Sequence, residues 1–284
     1  MSAGAYEERG VVFPCEGNRL VGVAALPEKA AQTGVLLVVG GPQYRVGSHR
    51  QFTLLARSLA EAGIASLRFD YTGMGDSEGP RREFSETPAD IEAALAAFSE
   101  AAPGVTRVVL WGLCDAASAA MMYAHRFPTV TGVVLLNPWV HGDEYSPRVK
   151  LSYYGPALAA RENWGRLLSG KIRLVPAVGE VLASSARTAA GWVGLSRGDN
   201  RHSFVAQMLE GFRRFDRDVL VILSEDDFTA REFTALLEND REWRGALERD
   251  SVTSHTVAGA DHTFSSRQWR DEVAALTVEW VARR

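Results

Sequence analysis

Short, unbroken apolar runs alternate with amphipathic segments along most of this chain. Gly34 to Val39, Ile64 to Phe69, Val105 to Trp111, Gly132 to Leu136, Val219 to Leu223 and Val252 to Ala258 have the length of strands. Between them lie segments of helical period. Phe52, Leu55, Leu59 and Ala62 recur within His49 to Ala62, with Ser48 placed as an N-cap. Ile91, Leu95 and Phe98 recur within Pro88 to Ala101, behind Thr87. Helices are also predicted from Asp115 to about Phe127, from Thr229 to about Leu247 and from about Gln268 to Arg283. Before all of these, Val11 to Pro14 and Leu20 to Leu26 flank Glu16-Gly17-Asn18 and predict an antiparallel hairpin.

Strands alternating with helices imply a mostly parallel, doubly wound sheet covered on both faces, which places the chain in the α/β class. The alternation lapses between Pro138 and about Phe215, where the sequence turns helix-like and aromatic: Trp139, Tyr145, Tyr153, Trp164, Trp192, Phe204 and Phe212 fall there. This stretch is expected to be a helical cap, residues 138–215, inserted into a core made of residues 1–137 and 216–284. It would cover the carboxyl edge of the sheet, where open α/β folds bind ligands. Most of its aromatics are expected to pack within the cap itself.

Candidate chemistry begins at Gly112-Leu113-Cys114-Asp115-Ala116, between the predicted strand ending at Trp111 and the alanine-rich helix that follows. A sharp strand-to-helix bend needs small residues two before and two after the exposed side chain, and Gly112 and Ala116 supply them. A buried, inert cysteine is the competing reading of the same residues. An activated cysteine requires a base and a group that orients it. Both are available on the loops after the last two predicted strands: Ser224-Glu225-Asp226-Asp227-Phe228 and Gly259-Ala260-Asp261-His262-Thr263. His262 is preferred as base over His255, His49, His125, His141 and His202, and Asp227 as orienting acid over Asp226 and Glu225. Asp261 is expected to hold its own loop. The oxyanion would be met by the backbone N–H of Asp115 and by one from the loop Gly40-Gly41-Pro42-Gln43. Pro42 has no N–H, which leads to Gln43. Arg45 is a candidate contact for an anionic substrate group, against the plainer reading of a surface arginine.

Four segments carry a family resemblance: Gly40 to Phe52, Arg68 to Ser77, Gly112 to Ser118 and Ala260 to Phe264. Together they resemble the exosortase A system-associated hydrolases of the first type, within the α/β-hydrolase superfamily near the serine aminopeptidase-like lipases. That resemblance implies an α/β-hydrolase fold, a Cys114-Asp227-His262 triad, and a bacterial setting linked to exopolysaccharide and protein-sorting systems. It implies little about substrate. Where many members of the superfamily open the oxyanion loop with His-Gly, this chain has Gly40-Gly41-Pro42. Asp70 to Gly79 resembles a glycine-rich scaffold turn, with Asp70 and Ser77 expected to tie it together.

Composition narrows the function classes. The 284 residues, 46% of them hydrophobic, suffice for a full core, and 31 basic against 35 acidic residues give a net charge of −4 without long runs of one sign. Nucleic acid and anionic membranes are therefore not expected partners. Cys15 and Cys114 are the two cysteines. They make neither a disulfide framework nor a zinc motif, and no metal or other cofactor is expected. Neither a signal peptide nor a membrane span is evident, and a reducing cytoplasm is the expected location. The expected function is acyl hydrolysis of a small ester or thioester, free or carrier-bound, through an acyl-thioester on Cys114. Transfer of that acyl group to an amine or alcohol, or binding without catalysis, are the alternatives.

Overall fold

The hairpin at the start of the chain is longer than its apolar residues alone mark out. In the computed structural model, which describes residues 5–41, 43–140 and 204–284, strand β1 (Tyr6–Cys15) pairs antiparallel with β2 (Asn18–Pro27). Glu16 and Gly17 form the two-residue turn, both at positive φ (46° and 84°), the backbone twist that suits a tight hairpin. The remaining strands are β3 (Thr33–Val38), β4 (Ser66–Phe69), β5 (Arg107–Leu113), β6 (Val130–Leu136), β7 (Asp218–Ser224) and β8 (Val252–Val257). They form one eight-stranded sheet in the order β1-β2-β4-β3-β5-β6-β7-β8. Only β1/β2 and β2/β4 are antiparallel; every other neighbouring pair is parallel.

Alternate side chains of the central strands feed two separate cores. On one face Leu36, Val38 and Leu110 pack beneath helices α2 (Pro88–Ala101), α3 (Asp115–Tyr123), α4 (Phe204–Arg214), α5 (Phe228–Asn239) and α6 (Arg241–Leu247). On the other, Val35, Leu37, Val109 and Trp111 pack against α1 (Gln51–Glu61) and α7 (Arg267–Ala282). Burial on both faces is why these strands read as continuous apolar runs rather than as alternation. Trp111 is fully buried, meets Phe52 edge-on at 5.5 Å, and gives its indole N–H to Thr277 of α7 at 3.3 Å.

Three local expectations need correction. Ser48 does not cap α1: it opens a 3-10 turn in which His49 and Arg50 take left-handed backbone (φ 52° and 61°), and the helix starts at Gln51. The Ser48 N–H instead donates to Gln43 Oε1 at 3.0 Å. Thr87 likewise turns its hydroxyl to the Phe84 carbonyl, while Pro88 opens α2 at the position where a missing N–H costs nothing. The region from Thr229 to Leu247 is two helices, because Asp240 leaves helical backbone (φ −119°, ψ 116°) and its carboxylate caps Glu242 and Trp243.

Of the expected cap, residues 141–203 lie outside the described residues. Helix α4, at its far end, packs on α3 so closely that a Cβ on Gly211 would stand 2.3 Å from the Met122 carbonyl oxygen. Its Met208 and Phe212 enter the same core as the sheet. Among the described residues, no helix is long and apolar enough to cross a membrane.

Candidate active site

Because the strands from β4 through β8 run parallel to β3, the segments leaving them emerge at one edge of the sheet. Gly40 and Gly41 follow β3, Cys114 follows β5, Asn137 follows β6, Asp227 follows β7 and His262 follows β8.

Cys114 joins β5 to α3 with φ 61° and ψ −123°, a conformation that costs a residue with a side chain of order 1–3 kcal/mol. The bend is held on both sides. The Cys114 N–H donates to the Leu136 carbonyl at 2.9 Å, and its carbonyl accepts from Ser118 N–H at 3.2 Å and from Trp139 N–H at 3.3 Å. A Cβ on Gly112 would stand 2.7 Å from the carbonyl carbon of Ala116, so the small residues on either side of the cysteine are required by contact between them. The sulfur is half-buried, with partly apolar surroundings.

His262 Nδ1 lies 2.9 Å from Asp227 Oδ2. Asp227 is buried, and the same oxygen caps α5 by accepting the Ala230 N–H at 3.0 Å, which fixes the carboxylate in place. Burial pulls the His262 pKa down. Hydrogen bonds and charge from Asp227 and from Cys114 more than reverse this, carrying it up to about 10. Asp227 and Cys114 are thus the two groups that favour the charged imidazole.

The loop bearing His262 is itself clamped. Asn137 Nδ2 donates to the His262 carbonyl at 3.1 Å and to Ser224 Oγ at 2.8 Å, and Ser224 Oγ donates to the Asp261 carbonyl at 2.8 Å. The Ser224 N–H in turn donates to Asn137 Oδ1 at 2.8 Å. Both residues are buried. Sequence reasoning passed over this pair, although a signal was present. Asn137 is a polar residue directly after an apolar strand, and asparagine is among the residues that tolerate the left-handed backbone found there (φ 42°).

The other sequence candidates fall into place around this group. Glu225 accepts the Gly259 N–H and Asp226 pairs with Arg231 at 3.4 Å, so neither faces the imidazole. Asp261 accepts from Ser265 N–H and hydroxyl, holding its own loop. His255 lies at the surface near Glu272. His49 and His125 sit in other elements, and His141 and His202 are outside the described residues. Asp70 and Ser77 do tie their turn together: Ser77 Oγ donates to the Asp70 carbonyl at 2.8 Å, and the Asp70 carboxylate accepts the Asp76 N–H at 3.1 Å. Arg45 is drawn into the same turn. Its guanidinium pairs with Asp70 and with Asp76, the latter at 2.6 Å. Two carboxylates therefore flank its charge.

In the oxyanion-side loop, the N–H that reaches toward the elbow is that of Gly41, which donates to both carboxylate oxygens of Asp115 at 2.7 and 2.8 Å. Gln43 stands two residues further on, its side chain used on Ser48. Among the described residues, no cluster of three or more His, Cys, Asp or Glu could hold a metal ion.

Comparison with known proteins agrees with this architecture. A family model described as "Alpha/beta hydrolase family" matches residues 35–276. Among solved structures, the Pyrococcus furiosus esterase Pf2001 is similar with a TM-score of 0.65 and 14% identity, covering 98% of this chain and 93% of its own. A dienelactone hydrolase from Anabaena variabilis is similar with a TM-score of 0.61 and 16% identity, covering 98% of both chains. A proline iminopeptidase from Mycobacterium smegmatis is similar with a TM-score of 0.61 and 17% identity, covering 97% of this chain and 98% of its own. At such identities the likeness is one of fold. Comparison with curated proteins by sequence gives no match.

Proposed function

The chain belongs to the α/β hydrolase family, and from that premise we propose that it is an acyl hydrolase acting on small esters or thioesters through Cys114, His262 and Asp227. One observation supports this reading: an imidazole oriented by a buried carboxylate is also within interacting range of the sulfur of a cysteine held at a strained strand-to-helix bend. A protonated imidazole facing a sulfur is the setting in which cysteine works as a thiolate.

The sulfur attacks the acyl carbonyl carbon and the carbonyl π electrons move onto oxygen. The resulting oxyanion is met by backbone N–H groups, for which the N–H of Asp115 and of Gln43 are proposed. The tetrahedral species collapses, the bond to the leaving group breaks, and His262 passes its proton to that group. Water then attacks the acyl-thioester while His262 takes a proton from it. Collapse releases the carboxylic acid and returns the sulfur to Cys114. Asp227 keeps the ring oriented throughout.

We also read the chain, on its oxyanion-loop and elbow motifs, as an exosortase A system-associated member working in the cytoplasm, where a reactive thiol stays reduced. The test is intact-mass analysis after mixing with p-nitrophenyl esters and acyl thioesters of short acids. Wild type is expected to gain one acyl mass and then lose it to water, and Cys114→Ala to gain none and to lose on the order of 10⁴-fold or more in turnover. No adduct and no free acid with any donor would overturn the reading. An adduct stable to water and discharged by an added amine or alcohol would replace hydrolysis with transfer.

A further inference from the structure

Asp115 follows the elbow cysteine, yet its side chain turns back to the loop after β3. Both of its carboxylate oxygens accept the single N–H of Gly41. The contact is close-packed. A Cβ on Gly40 would come 2.2 Å from Asp115 Oδ1, 2.6 Å from the Leu113 carbonyl oxygen and 2.9 Å from the Ala116 nitrogen. Only glycine lets the loop approach the bend so nearly.

This contact changes which amides remain for an oxyanion. The Gly41 N–H is committed to Asp115, Pro42 has none, and Gln43 carries the next one in the chain. The Asp115 amide, the other donor in the proposed reaction, shares its residue with the carboxylate. We propose that Asp115 is the positioning residue of the oxyanion loop. By gripping the Gly41 N–H, its carboxylate sets where the Gln43 and Asp115 N–H groups stand relative to Cys114. The inference rests on the acyl-hydrolase reading and adds to it a role for the Asp115 side chain, which acts through the Gly41 loop and not on substrate or sulfur directly. Burial pushes the Asp115 carboxyl above its ordinary range, with the Gly41 amide opposing and the charge of Glu83 adding to the rise. Protonation leaves an oxygen to accept the Gly41 N–H but changes the charge beside it, which gives the Gly41 amide a titration to report.

The test combines kinetics with a direct view of the contact. Asp115→Ala is expected to lower kcat about 10- to 100-fold with KM within about threefold, since misplacing a donor costs the transition state more than the ground state. Asp115→Asn keeps an oxygen for Gly41 and is expected to recover most of the loss. In wild type the Gly41 amide proton, followed by NMR, should shift with a single titration at acid pH. That titration should be absent in Asp115→Asn and retained in Glu83→Gln. Tyr71, whose charge would oppose that of Asp115, is held well above its ordinary value by burial and does not titrate in the acid range followed.

An Asp115→Ala variant with kcat within twofold of wild type overturns the proposal, as does a Gly41 amide that does not titrate. Should Asp115→Ala fail to fold, a folded Asp115→Asn that has lost kcat about 100-fold overturns it too, because the charge itself and not the grip would then matter. Failure of the acyl-hydrolase reading is distinct: wild type would form no adduct on Cys114 while the Gly41 titration persists.

Discussion

His262 owes its protonation to its neighbours, and the sign of the effect makes it testable. Burial alone would keep the ring neutral; Asp227 and Cys114 hold the proton on it to about pH 10. A pKa raised on folding contributes stability in full below the free imidazole value of about 6.5, and that contribution is lost as pH rises through about 10. Asp227→Asn keeps an oxygen to cap α5 but loses the charge that favours the imidazolium. Its Tm deficit relative to wild type should therefore be largest near pH 6 and shrink toward pH 10, by differential scanning calorimetry. The alkaline limb of its pH–rate profile should move from near 10 toward neutrality, with kcat reduced on the order of 10²- to 10⁴-fold. At this scale the residues that the structure brings together were legible, because Cys114, Asp227 and His262 follow the chain in that order on loops after strands. The clamp of Asn137 and Ser224 was not. Hydrogen bonds between residues 87 positions apart leave no local pattern.

The elements follow the apolar pattern closely where burial dictates it and depart from it where turns do. Helix α2 runs from Pro88 to Ala101, the bounds its period predicts, because one face must meet the sheet. The break at Asp240 escaped the pattern, since apolar residues continue on both sides and only the backbone at that residue changes. Asp240→Ala removes the cap of α6, and a stability loss of about 1 kcal/mol is expected from urea unfolding. The stretch at Ser48 shows the opposite case. A residue of good capping type is present, but the chain closes so tightly over Phe52 that a Cβ on Gly47 would stand 2.7 Å from its ring. The following two residues take left-handed backbone, and Ser48 has no helix terminus to cap.

Across the whole molecule, the elbow strand is tied to the far end of the chain. Trp111 on β5 and Thr277 on α7 are 166 residues apart and share a buried hydrogen bond, while Thr277 also bonds the Val273 carbonyl. Thr277→Val keeps the shape and strands the indole N–H, so a loss of about 1–2 kcal/mol is expected in urea unfolding. Neither Trp111 nor Thr277 is among the residues proposed to do chemistry, so turnover per folded molecule should stay within twofold. The sequence alone determined the class of fold, the two-faced burial of the sheet, the bend at Cys114 and the loops that carry Asp227 and His262, because each follows from the period of apolar residues and from the covalent limits of glycine and proline. Tertiary structure alone decided that Asp115 grips Gly41, that Arg45 pairs with Asp70 and Asp76, and that Asn137 and Ser224 hold the histidine loop. Those outcomes depend on the order in which strands lie side by side, which brings distant backbone and side-chain groups within hydrogen-bond reach and which no local stretch of the chain encodes.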